Sequence, residues 1–71
     1  MTNIKEETLS YLLSGIKTNF DNGVYEHAYV QESAICDLLG VEYDFEHHDA
    51  IFIAYYLGDI TSEQLIGGIA Q

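Results

Sequence analysis

Two hydrophobic periodicities alternate along the chain. Leu9, Leu12, Leu13, Ile16 and Phe20 recur at spacings of 3, 1, 3 and 4, which gathers them on one face of an α-helix. Tyr11, Ser14 and Lys17 fall off that stripe, and the pattern predicts a first helix over about Ile4 to Asn19. Thr2 or Asn3, with Glu6 behind it, supplies a cap and a carboxylate at the positive end of the helix dipole. Gly15 weakens the helix by about 1 kcal/mol relative to Ala unless close packing needs it. Asp21-Asn22-Gly23 ends the element, with Gly23 or Asn22 suited to the left-handed conformation.

The next segment supports two readings. Val24, Glu26, Ala28 and Val30 alternate with Tyr25, His27 and Tyr29 as a short strand would. Val24, Ala28, Ile35, Leu38 and Leu39 nevertheless share one helical face, with Gly40 in the stop position. A second helix is therefore expected over at least Gln31 to Leu39, starting near Val24.

Val41-Glu42-Tyr43-Asp44-Phe45-Glu46 then alternates strictly between apolar and acidic, and Ala50 to Leu57 follows with eight residues and no charge. The first part reads as a brief extended leader. Asp44 is placed to cap a third helix over about Phe45 to Leu57, with Glu46 and Asp49 in its opening turns. A strand is the competitor for the apolar run, and length and context favour the helix. Gly58 stops it, Thr61 with Gln64 makes a capping box, and Leu65, Ile66 and Ile69 form a short fourth helix that must dock because Gly67-Gly68 weakens it.

The expected fold is all-α: one domain over residues 1–71, a small compact bundle of three to four helices with helix 3 apolar nearly all round and hence central. The alternative is α+β, with short strands near 24–30 and 41–45.

Length adds a constraint. A chain of 71 residues buries only about 60% of the surface its unfolded form exposes. Help from a second subunit is expected, and a homodimer is the simplest form. Cys36 stands alone, which fits a reducing cytoplasm and a buried, unreactive thiol. The longest uncharged run is far below the ~20 residues that cross a bilayer.

Candidate chemistry is sparse. Zinc asks for three or four ligands at defined spacing, and adjacent His47 and His48 point about 100° apart on a helix. Asp44 and His48 could share an ion, but solvated histidines at a helix start explain them as well, so no metal and no cofactor are expected. Cys36 with a histidine base is only formally a nucleophile, and Gly67-Gly68 lacks the Lys and strand of a phosphate loop. An enzyme is not expected.

Charge changes the picture most. Lys5 and Lys17 are cancelled by Glu6 and Glu7, so the whole net charge of −10 falls on residues 18–71, which contain no Lys or Arg. Such a field repels nucleic acid and attracts basic surfaces in a salt-dependent way. A merely solvated surface usually mixes both signs. The candidate binding set is Glu26, Glu32, Asp37, Glu42, Asp44, Glu46 and Asp49, with Glu42, Glu46 and Asp49, continued by Asp37, as a row. Tyr25, Tyr29 and Tyr43 would supply contact area beside them.

Short length, near absence of Lys and Arg, six tyrosines and an all-acid body from Asp21 to Glu63 together resemble the small phage-encoded inhibitors that act as DNA mimics. The likeness is one of composition and involves no motif. It implies a non-enzymatic protein that occupies the DNA-binding surface of a basic host protein, such as a nucleoid protein, a defence nuclease or RNA polymerase. The competing expectation is an acidic antitoxin, immunity or adaptor protein that neutralises one enzyme through a hydrophobic face.

Overall fold

Four helices follow in chain order: α1 (Ile4–Asp21), α2 (Tyr25–Leu38), α3 (Phe45–Tyr56) and α4 (Ser62–Ile69). They come from a computed structural model that describes residues 4–70. The cap expected at Thr2 or Asn3 lies outside the described residues. The fold is all-α, and the described residues contain no strand, so the ambiguous segment belongs to α2 from Tyr25 on, with Val24 at its cap position, and residues 41–44 are irregular.

Three helices end in the same way. After α2, the Gly40 N–H donates to the Asp37 carbonyl (3.0 Å) and the Val41 N–H to the Cys36 carbonyl (2.8 Å), with Gly40 at φ +76°. This is the paired-bond Schellman stop, which requires a residue that tolerates positive φ. Gly23 and Gly58 close α1 and α3 with the same two bonds. The chain can therefore reverse within a few residues. Only Asn22 to Val24 separate α1 from α2, and these two helices pack more extensively than any other pair.

Gly15 sits at that contact. A Cβ there would collide with the side chain of Gln31, whose Oε1 accepts from Asn19 Nδ2 at 2.7 Å. The glycine thus gives close approach in exchange for helix propensity. Around it, Leu13 and Ile16 of α1 meet Ile35 and Cys36 of α2, Phe52 of α3, and Leu65 and Ile69 of α4 in one buried cluster. Burying each large aliphatic or aromatic side chain contributes about 1.5–3 kcal/mol. α4 is anchored as its sequence suggests, with the Thr61 Oγ accepting from the Gln64 N–H (3.2 Å) and the Gln64 Oε1 accepting from the Thr61 N–H (2.8 Å).

α3 is less enclosed than its apolar composition suggests. Only His48 and Phe52 of this helix are buried, while Phe45 (46%), Ile53 (38%) and the flanking Leu57 (64%) are exposed. α3 nevertheless packs against α1, α2 and α4.

Candidate functional site

Residues 41–49 join α2 to α3, and their placement follows from what each side chain can reach. Val41 leaves the Gly40 turn half-buried and Tyr43, two residues on, points the same way. The Tyr43 hydroxyl donates to Glu32 Oε1 at 2.7 Å, and its ring stacks on His48 at 6.1 Å and 20°. Glu42 and Asp44, on the opposite side of this short extended run, are exposed. The alternation read in the sequence is therefore a real sorting of inside from outside over Val41 to Asp44, and it ends at Phe45, which is exposed.

Asp44 occupies the cap position of α3, yet its carboxylate makes no capping bond. The cap is built the other way round: the Asp44 N–H donates to His48 Nδ1 at 2.9 Å. His48 is held there by Tyr43 and is 4% exposed, whereas His47 beside it is exposed. His48 is thus a packed structural group and not the solvated histidine expected. The Asp44–His48 pair is joined through backbone to ring, and among the described residues no group of three or more His, Cys, Asp or Glu converges to hold a metal.

The candidate acids divide sharply. Glu26, Asp37, Glu42, Asp44 and Glu46 are exposed, as are Asp21, Asp59 and Glu63. Asp37 and Glu42 line one shallow groove with Val30, Ala34, Val41 and Tyr43, and Glu42 and Asp44 line the adjoining one with Phe45. Glu26 stands apart, 11 residues and so roughly 16 Å along α2 from Asp37. Glu42 precedes α3, so the row Glu42–Glu46–Asp49 is not a helical one.

Glu32 does not belong to any acid surface. It is fully buried, because position 32 falls on the same stripe as Ala28, Ile35 and Cys36. Asp49 is half-buried, with Oδ1 shielded from solvent. Burial, then hydrogen bonding and charge from Asp49, push the Glu32 carboxyl up from 4.5 to about 8, against a lowering effect of the Tyr43 hydroxyl. Tyr43 is raised in turn, first by burial and then by its bond to Glu32. Burial and the nearby Glu32 also push the Cys36 thiol up, which disfavours the thiolate that nucleophilic chemistry would need.

Of the three tyrosines, Tyr25 is 52% exposed, with its ring 6.0 Å from that of Phe20. Tyr29 is half-buried and packs edge-on against Phe45 at 5.0 Å and 87°. Tyr43 is committed inward to Glu32 and offers a partner only part of its ring. Val30, which the sequence reading passed over, is 68% exposed in the groove between the acids. Its signal was available, since Val30 lies two residues from Ala28 and Glu32 and hence on the far side of the helix from the buried stripe. No protein-family model, curated protein or solved structure matches the chain.

Proposed function

We propose that the chain is a non-enzymatic acidic binding protein that mimics DNA and occupies the DNA-binding surface of a basic host protein in the cytoplasm, a nucleoid protein, defence nuclease or RNA polymerase being the fitting targets. One observation carries the reading. Eight exposed carboxylates between Asp21 and Glu63 lie on a body 34 Å long, within residues 18–71 that contain no Lys or Arg. One strand of duplex DNA carries about ten phosphates over that length, at ~3.4 Å per charge. The acid count of one protomer is of the same order, and a homodimer would present two such sets.

Asp37, Glu42, Asp44 and Glu46 steer the encounter, while Val30 and Phe45 supply apolar contact once water is expelled. A histone-like nucleoid protein mixed with the chain and then titrated with DNA should show competition that weakens steeply with salt. Salt-insensitive binding, or a ternary complex with DNA, would overturn the mimic.

The exposed Val30, in a groove that it lines with Ala34 and Val41 as well as with Asp37 and Glu42, favours a second reading, an antitoxin, immunity or adaptor protein that buries a hydrophobic face against one enzyme. Val30→Ser would then abolish binding that neutralising Glu42, Asp44 and Glu46 together leaves intact.

A further inference from the structure

One cluster of titratable groups lies inside the fold. No part of Glu32 reaches solvent, and while Tyr43 donates to its Oε1 at 2.7 Å, its Oε2 is buried without a donor. Asp49 Oδ1, in the second turn of α3, is likewise buried without a donor. The two carboxyl groups are within hydrogen-bonding reach of each other.

As two anions they would have no hydrogen to exchange, would leave both oxygens unsatisfied, and would repel each other where water cannot screen them. A single proton removes all three defects, because a carboxylic acid donates to a carboxylate in a short charge-assisted bond. A divalent ion is a poorer solution: it needs more oxygen ligands than this pair provides, and no third acid, His or Cys joins them among the described residues.

We propose that Glu32 and Asp49 form a buried proton-binding site whose shared proton clasps α3 to α2, so that folding takes up a proton and alkaline pH loosens the 41–44 leader between them. The groups facing Glu32 come from each packed segment: Tyr29 and Cys36 on α2, Tyr43 on the leader with His48 stacked upon it, and Asp49 on α3. None of these is a Lys or Arg that would hold a second buried anion. The displacement of the Glu32 carboxyl to about 8, chiefly by burial, agrees with this geometry. Since the folded value lies above the ordinary 4.5, the proton's stabilisation is complete below about 4.5 and is lost as pH rises through about 8. The site is a property of the fold and stands whether or not the acid surface meets a basic partner.

Two measurements test it. The melting temperature of the full chain should fall by roughly 10 °C between about pH 5.5 and about pH 8.5. The readout is the comparison with Glu32→Gln, whose neutral amide still accepts from Tyr43 and donates to Asp49, because only the Glu32 contribution is lost in the variant. The variant should show a much flatter profile and melt at or above the wild-type temperature at the alkaline end. The same slope in both proteins overturns the proposal. Carbon-13 NMR of the wild-type Glu32 carboxyl needs no variant to fold: a midpoint near 8 supports the shared proton, and a midpoint near 4.5 overturns it.

Discussion

Two tyrosine–carboxylate bonds flank α3, one from the leader before it and one from its last residue, and they differ in sequence separation and in burial. Tyr43 donates to Glu32 at 2.7 Å inside the fold, and Tyr56 donates to Asp21 at 2.6 Å in the open. Length and chemistry are nearly the same. At the buried end, desolvation is the first cause of the raised tyrosine and carboxyl values, whereas the hydrogen bond to Asp21 is the first cause at Tyr56. Water therefore decides what each bond is worth: where it is excluded, a missing donor leaves an uncompensated buried group, and where it is present, water takes the donor's place.

The sharpest way to break that contrast is Tyr43→Phe. It leaves Glu32 Oε1 buried without a donor, which costs about 1–3 kcal/mol and lowers the melting temperature by roughly 5–20 °C for a domain of this size. The variant has a second signature. Because the Tyr43 hydroxyl lowers the Glu32 value, its removal moves the Glu32 carboxyl midpoint above about 8 in an NMR titration. A variant that melts with the wild type would show that burial is not what makes this bond matter.

A second prediction separates inner from outer acids. Glu42→Gln, Asp44→Asn and Glu46→Gln combined remove three exposed charges beside the grooves. Binding to a basic nucleoid protein at low salt should weaken about tenfold, or ~1.4 kcal/mol, mostly through the on-rate. The melting temperature should hold or rise as self-repulsion eases. Glu32→Gln is the mirror case, changing pH-dependent stability and leaving binding unaltered. Loss of stability in the triple variant, read by circular dichroism, would mean that the leader acids are structural after all.

The same contrast explains what the sequence revealed. Helix limits were legible because their signals are local: Gly23, Gly40 and Gly58 each end a helix at positive φ, and Thr61 with Gln64 makes both bonds of its box. The acid surface was legible in part, since exposed Glu and Asp are the default. Glu32 was not, although its spacing from Ala28, Ile35 and Cys36 placed it on the buried stripe. A buried acid becomes credible only when its partners are known, and Tyr43 and Asp49 come from a different helix and the leader before it. Asp44 failed as a side-chain cap for a similar reason, because His48 had already been drawn inward by Tyr43 to meet its N–H. α3 does meet all three other helices, but composition records how apolar a helix is and not how much of it those neighbours cover.

The smallest expected effect is the most discriminating control. Tyr56→Phe deletes the hydroxyl that reaches Asp21 across 35 residues of sequence, so by contact distance alone it should matter as much as Tyr43→Phe. The Tyr56 ring stays in place, packed on Phe20 at 5.2 Å, and Phe20 also touches Tyr25 at 6.0 Å, so the aromatic contact that joins α3 to the α1–α2 turn survives. What is lost is an exposed bond that water replaces on both sides. The melting temperature should shift by less than about 2 °C, with no change in its pH profile through neutrality. If Tyr56→Phe instead destabilised the chain as strongly as Tyr43→Phe, long-range tethering rather than burial would be the quantity that the two ends share. Glu32 would then have to be re-examined as a tether and not as the holder of a proton.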